Sequence, residues 1–402
     1  MSNKRKRNDK ILDILTYVAA SVGVIVLSLI VVFVLKNGLG LLNFDLVTND
    51  YHAKFYNGGI EEIVAFSETE KPDYLTDTDF YSAKWGLALT DDLDREGKAI
   101  IVVSYIAEDS PLNYMYDKNN LDNHDFKLEV GNIVTSIKYE NKESSLSIYG
   151  ASMMISALDE EVVFREMVFS SLGGGIRGSL ITTLYTILLT LVIAMPIGVF
   201  SAIYLNEFAG NNRFTKTIRS MIEMLTGVPS IIFGLFGLTV FVPLTVSLTP
   251  ADGANIISGS LTLAVILLPV IIRSTEESLK IVPEDFRFAS LALGANKTQT
   301  TFKVVLPSAI PGILTATLLS IGRVIGESAA LIFAIGTSIK DEISIFGKST
   351  TLAVHIWSLM TDEPANIELA STISIIILII VLILNVLLKL LSKAYLKKGI
   401  VR

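Results

Sequence analysis

Six stretches of the chain run for about 20 residues or more with few or no charges, the length at which an α-helix crosses roughly 30 Å of hydrocarbon. Reading between charged positions places them at 14–35, 178–206, 224–251, 253–272, 304–335 and 369–388. The pattern predicts an all-α polytopic membrane protein with six transmembrane helices. The fifth stretch differs from the rest, because Arg323 and Glu327 interrupt it. The first is 22 residues long, longer than the roughly 7–15 apolar residues of a signal-peptide core, and reads as an uncleaved anchor.

Between the first and second stretches the pattern changes. Residues 99–106 form a short apolar run, and 127–139 and 145–149 alternate in part with Val, Ile and Tyr, which predicts β-strands. Residues 159–170 (DEEVVFREMVFS) read as an amphipathic helix leading to the membrane, with acidic residues suited to a first turn. The Asp-rich stretches 73–79 and 91–94 read as turns or exposed loops. A small α+β domain is therefore expected between helices one and two. The chain divides into 1–36 (basic N-terminus and first helix), 37–170 (insertion), 171–388 (helices two to six) and 389–402 (basic tail).

Composition sharpens this picture. Only 18% of residues are charged, against about a quarter in a soluble domain, which argues for membrane residence and against a cytosolic enzyme. Cysteine is absent, which removes disulfides, thiolate nucleophiles and cysteine-ligated metal centres. Three dispersed histidines (His52, His124, His355) leave little for a metal site. The net charge of −7 argues against a nucleic-acid partner, but its distribution says more. Residues 36–177 carry 12 basic and 25 acidic side chains, while the rest of the chain carries 21 and 15. The basic residues gather at the N-terminus (Lys4, Arg5, Lys6, Arg7, Lys10) and in 207–223, 273–303 and 389–402. The positive-inside rule then puts both termini in the cytoplasm and the insertion outside. Pro196, Pro229, Pro243 and Pro269 fall inside predicted spans. Each removes a backbone donor, and such breaks survive in a membrane where they pack in protein or line a cavity, as in a transport bundle.

Residues 273–303 are too polar for the bilayer. Segments 274–279 and 283–293 favour helix, Pro283 suits a first turn, and Gly294 ends the second helix. Leu306-Pro307 follows where the chain re-enters the membrane. Two short helices around a glycine make a lever that a cytoplasmic partner can push.

Ala289, Ser290, Gly294, Val304, Leu306 and Pro307 resemble the coupling-loop motif of ABC importer permeases: Glu-Ala-Ala, three residues, Gly, nine residues, Ile, one residue, Leu-Pro. The spacing matches throughout, with Phe288 where the family has the Glu. Segments 174–209, 227–238 and 311–333 further resemble the phosphate-importer permeases of the PstA family. The resemblance covers most of 171–393 but not most of 37–170, which is much longer than the corresponding family loop. It implies the type I ABC importer permease fold in the cell membrane of a prokaryote. It also implies a transport subunit with no ATPase site and no cofactor of its own. The implied partners are a second permease subunit (PstC-like), two ATPase subunits (PstB-like) that use ATP and Mg²⁺, and an extracytoplasmic phosphate-binding protein (PstS-like), besides membrane lipid.

A charge in mid-span costs about 2.5–3.5 kcal/mol on insertion scales, so it is normally buried, paired or functional. Arg323 and Glu327 are four apart, which places them on one helical face. They either neutralise one another as an internal ion pair or serve a substrate. Guanidinium offers a planar fork of donors for phosphate oxygens. A nearby carboxylate accepts a hydrogen bond from the P–OH that phosphate keeps near neutral pH and that sulfate lacks. The resemblance likewise implies a functional role for this Arg and Glu, and Ser328 stands where the family commonly has Thr. Gly322 and Gly326 form a small-xxx-small pair suited to close helix packing.

The expected protein is a phosphate-importing permease with Arg323, Glu327 and Ser328 in the substrate path. Another oxyanion, molybdate or sulfate, would keep the same machinery. A membrane sensor is a third reading, against which stands the 14-residue tail with no signalling module. Three further motifs carry no chemistry. Gly347-Lys348-Ser349 matches only the end of a phosphate-binding loop, with Glu342 where the first glycine is needed. Asn296-Lys297-Thr298 is a glycosylation acceptor on the predicted cytoplasmic side, and Gly173-Gly174-Gly175 is expected to let the chain bend into helix two.

Overall fold

The computed structural model describes residues 3–60, 71–93, 98–118, 127–140, 142–161, 163–171, 173–210, 212–361 and 364–400. The chain forms two compact units, one of Asn49–Gly175 and one of the remainder. It opens with α1 (Asn3–Gly38) and the short α2 (Phe44–Thr48). The Asn49–Gly175 unit follows. Its strands are β1 (Phe55–Gly59), β2 (Asp79–Ser82), β3 (Leu87–Leu93), β4 (Ala99–Ile106), β5 (Tyr116–Asp117), β6 (Ile133–Lys138), β7 (Ser145–Leu146) and β8 (Glu166–Ser170), with α3 (Ala151–Asp159) between the last two. The strands pair antiparallel in the order β2-β3-β4-β6-β8-β1-β5, and β7 adds to β6. Alternation along each strand sends Leu87, Leu89, Ile101, Val103, Met167 and Phe169 to one face, where Met154, Ile155 and Leu158 of α3 join them. Trp85 Nε1 donates to Leu158 O at 3.0 Å, satisfying its one polar atom inside this core.

The α+β character matches expectation, but one element does not. No helix spans 159–170: α3 ends at Asp159 and 166–170 is strand β8, bonded to β1 on one side and β6 on the other. Met167 and Phe169 are both fully buried. Two residues apart, they share a face on a strand and diverge on a helix, so the sheet buries both. Asp91 and Asp92 also lie in β3 rather than in a loop, and Asp91 Oδ1 accepts the Ala151 N–H that starts α3 (2.8 Å); Asp94 lies outside the described residues.

Because β8 pairs with β1, the two ends of the unit leave side by side, with Phe55 opposite Ser170. The N–H groups of Gly174 and Gly175 donate to Tyr51 O and Asp50 O (2.7 and 2.9 Å). A Cβ on Gly175 would stand 1.9 Å from Asn49 O. The glycine triplet thus permits backbone to meet backbone.

The second unit continues with α4 (Arg177–Ile203), α5 (Arg213–Thr226), α6 (Ser230–Phe236), α7 (Val242–Leu248), α8 (Ile256–Ile281), α9 (Glu284–Ala292), α10 (Lys297–Thr300), α11 (Leu306–Gly326), α12 (Ala329–Ala334), α13 (Leu352–Thr361) and α14 (Ile367–Ile400). π-Helical turns at Tyr204–Phe208, Gly237–Phe241 and Thr301–Val305 extend α4, join α6 to α7 and join α10 to α11. Among the described residues, six helical runs are long and apolar enough to cross a membrane: Leu12–Leu41, Arg177–Phe208, Ser230–Leu248, Ile256–Ile281, Lys297–Gly326 and Ile367–Lys393. All six predicted stretches fall on them.

Three boundaries move. The third helix starts at Ser230 rather than 224, because 224–226 are the last turn of α5. The fourth helix continues past Arg273 to Ile281 and absorbs the first of the two short surface helices, since Thr275, Glu276, Ser278 and Leu279 are buried against neighbours. The fifth ends at Gly326 rather than near 335. Pro196 and Pro269 sit within continuous helices, whereas Pro229 precedes α6 and Pro243 lies in the first turn of α7. α8 is the central helix, with Leu263, Leu267 and Ile271 packed among Ile187, Ala194, Ile321, Val324 and Leu331. α1 is docked at its far end, where Thr372 Oγ1 donates to Gly38 O at 2.9 Å; most of its apolar length is exposed in this chain.

Asp79, at the sheet edge, accepts from Thr90 Oγ1 (2.7 Å) and from Thr76 N and Oγ1 (both 2.8 Å). The Thr90 hydroxyl above all, with Thr76 helping, holds its carboxyl well below the usual carboxylate range. A depressed pKa stabilises the fold above the unfolded value, about 3.9, and that stability is lost as pH falls through the lower folded value. Asp79→Asn in the full chain should therefore cost about 1 kcal/mol at neutral pH, allowing for solvent screening. The difference from the parent in thermal unfolding should shrink once the pH is taken below about 4; a pH-independent difference would contradict the assignment.

Candidate functional site

The fifth membrane helix ends abruptly at the pair of charges it carries. Arg323 lies in the last turn of α11, a position where a cation also favours the helix dipole. Glu327 is already extended (φ −79°, ψ 117°), and α12 starts two residues later. The two charges therefore do not share the face of one continuous helix. They form no ion pair, and Arg323 has no hydrogen-bond or ion-pair partner among the described residues. Glu327 Oε1 instead accepts the Ala330 N–H at 3.2 Å, satisfying a donor in the first turn of α12. Ser328 begins that turn but makes no side-chain cap.

The result is an exposed guanidinium and a half-buried carboxylate with one oxygen still open, set on either side of the break between α11 and α12. Mutual neutralisation is thus not what the two charges do. Gly322 and Gly326 lie on the same open side as Arg323, and a Cβ at either would meet nothing within 4 Å in this chain. The helix packing expected of this pair is therefore not made among the described residues.

The loop after α8 is built as a braced turn. Gly294 closes α9 with φ +89°, the conformation that favours glycine, and the Ala295 N–H returns to Ser290 O at 3.2 Å. Asn296 and Gln299 cap α10 reciprocally (2.8 and 2.9 Å). Ser290 Oγ meets Thr300 Oγ1 at 3.0 Å and so ties α9 to α10. Ala289 faces outward beside Phe286 and Leu293, around a shallow groove that also takes in Gln299 and Lys303, and Phe288 is exposed. Behind it, Leu306 packs with Ile203, Leu279, Val282, Val305 and Ala309, and Pro307 opens α11.

Sequence reading missed the residues that hold this loop to the bundle. Arg287 donates to Val282 O (2.6 Å), Leu279 O (2.9 Å) and Glu207 Oε1 (2.9 Å). It fills the open carbonyls at the end of α8 and pairs with a carboxylate at the end of the second membrane helix. Lys297 stands 5.5 Å over the Phe208 ring, one residue further on. Arg219 of α5 likewise donates to Leu205 O (2.7 Å) and Glu276 (3.2 Å). The only signal in the sequence is that these charges sit at membrane boundaries.

Glu207→Gln should destabilise the chain by about 3 kcal/mol, the cost of leaving a mostly buried cation without its counterion. Reversing the pair, Glu207→Arg with Arg287→Glu, should not rescue it, because Leu279 O and Val282 O accept only from a donor. Chemical unfolding of the purified full chain measures both; full rescue by the reversed pair would show that charge alone matters.

Residues 194–398 match the family described as binding-protein-dependent transport system inner membrane component. Among relatives, the probable ABC transporter permease protein YqgI of Bacillus subtilis (strain 168) is 40% identical over 220 residues, which are 52% of this chain and 73% of that protein. The phosphate transport system permease protein PstA of Mycobacterium leprae (strain TN) is 36% identical over 190 residues, 47% of this chain and 60% of that one. Among solved structures, an inward-facing methionine ABC transporter MetNI aligns with a TM-score of 0.44 at 22% identity, covering 55% of this chain and 95% of the other. The six membrane helices, the family match over residues 194–398 and the 40% identity to a relative covered over 73% of its length lead to one assignment: the chain is a multi-pass membrane protein and belongs to the family of binding-protein-dependent transport system inner membrane components.

Proposed function

We propose that this chain is the PstA-type permease subunit of an ABC importer that carries inorganic phosphate into the cell. The observation that carries the reading is the uncompensated Arg323 in the last turn of α11, with the half-open Glu327 just past the helix end. An anion entering the bundle needs a positive centre, and Arg323 supplies a fork of donors to phosphate oxygens. Glu327 Oε2 accepts from the remaining P–OH, which favours phosphate over fully ionised sulfate. Ser328 adds a hydroxyl next to it. Relatives named as phosphate transport permeases, 34–36% identical, support the substrate.

The transporter would pair this chain with a PstC-like permease, whose surface closes over Gly322, Arg323 and Gly326. Two PstB-like ATPases would dock on the turn around Gly294 and supply the energy from ATP and Mg²⁺. A PstS-like protein would deliver phosphate on the side of the Asn49–Gly175 unit. In the cell membrane of a prokaryote, the basic termini and the coupling turn face the cytoplasm. ATPase closure pushes α9, and the Glu207–Arg287 and Phe208–Lys297 contacts pass that push to the second membrane helix.

In the assembled transporter, Arg323→Gln should lower phosphate uptake roughly tenfold to a hundredfold, the worth of a charge-assisted hydrogen bond. Glu327→Gln should lower it less and make uptake more sensitive to competing sulfate, with arsenate competing throughout. Radiolabelled uptake decides; normal uptake by both variants and their double mutant rejects the assigned roles.

A further inference from the structure

α5 is amphipathic, and only half of its apolar side is used. Phe214, Ile218, Met221, Ile222 and Leu225 recur at the three- to four-residue spacing of one helical face, and Lys216, Ser220 and Glu223 lie opposite. Toward the bundle, Ile218 and Ile222 pack on Ala202, Leu205 and Ile272, and Arg219 is anchored to Leu205 O and Glu276. The other flank is bare: Phe214 and Met224 are 72% exposed, Met221 59% and Leu225 41%.

The place of α5 in the chain says what covers that flank. Four residues separate it from the turn that ends the second membrane helix at Phe208, and three from the start of the next at Ser230. It is therefore held at the membrane boundary from both ends. The helices on either side of it also expose apolar residues near its two ends, Tyr204 before it and Ile231 and Ile232 after it. Its charge fits the same place. Three basic residues (Arg213, Lys216, Arg219) stand against one acidic (Glu223), and Arg213 and Lys216 are exposed. Basic residues at a membrane surface attract anionic headgroups, and a helix of this kind lies in the interface with its apolar side among the acyl chains.

We propose that α5 is a membrane-interface helix that seats Phe214, Met221, Met224 and Leu225 among acyl chains and sets Arg213 and Lys216 on the phosphates of anionic phospholipid. The Arg219–Glu276 pair (3.1 Å) joins it to α8, the helix that ends in the coupling turn. Anionic lipid thus steadies the base of the lever. The inference requires a multi-pass membrane protein but not phosphate as the substrate.

The absence of cysteine makes the test direct. Met221→Cys and Ser220→Cys each give the full chain a single thiol for a nitroxide label. Power-saturation EPR then compares collision with oxygen, enriched in hydrocarbon, and with a water-soluble nickel complex. In nanodiscs containing phosphatidylglycerol, the label at 221 should be oxygen-accessible and the label at 220 nickel-accessible. Replacing phosphatidylglycerol by phosphatidylcholine should move the 221 label outward. Arg213→Gln with Lys216→Gln should erase that lipid dependence, each charge contributing a preference of about fivefold. Nickel access at 221 overturns the proposal, as does shielding from both reagents, which means a protein partner covers the flank. Identical profiles in the two lipids overturn it as well.

Discussion

Hydrocarbon offers the peptide group no hydrogen-bond partner, so the backbone of the membrane unit has to be satisfied from within the protein. That requirement explains why the long helices run unbroken through Pro196 and Pro269. It also explains the form that irregularity takes where it does occur. At Tyr204–Phe208, Gly237–Phe241 and Thr301–Val305 the helix widens by a π turn and keeps its ladder. At Gly326 the ladder stops, and a side chain takes over when Glu327 accepts the Ala330 N–H. The break that exposes the charged pair is stable because one member of the pair repairs it.

The arginines of this unit divide by what surrounds them. Arg287 and Arg219 have carbonyl and carboxylate acceptors that hold secondary structure together at the membrane boundary. Arg323 has no such acceptor among the described residues, although it occupies the more expensive position. A guanidinium within a membrane span requires compensation from some source. For Arg287 the source is the same chain; for Arg323, in the reading favoured above, it is the cargo.

Much of this was legible from residue patterns because long apolar runs and glycine-ended turns are local signals. The six membrane helices and the turn at Gly294 follow from neighbours in sequence. What escaped was decided by contacts between distant positions. Residues 166–170 carry a mixed pattern that the flanking strands β1 and β6 resolve as sheet. Polar residues 273–281 stay helical because Arg219 and the neighbouring helices receive them. Glu207 and Arg287 are 80 positions apart, and nothing in their surroundings announces that they meet. The spacing of Arg323 and Glu327 suggested a shared helical face, and the end of α11 at Gly326 separates them.

The pairing of β1 with β8, and the contact of Gly175 with Asn49, carries a consequence for how such a chain can change. A segment whose entry and exit touch asks the flanking helices to span no greater distance than a tight hairpin would. Its length is then nearly free of entropic consequence for the bundle, since closure cost is set by the gap and not by what is folded inside it. The unit is in this sense a graft: it can be enlarged, exchanged or excised at a single seam.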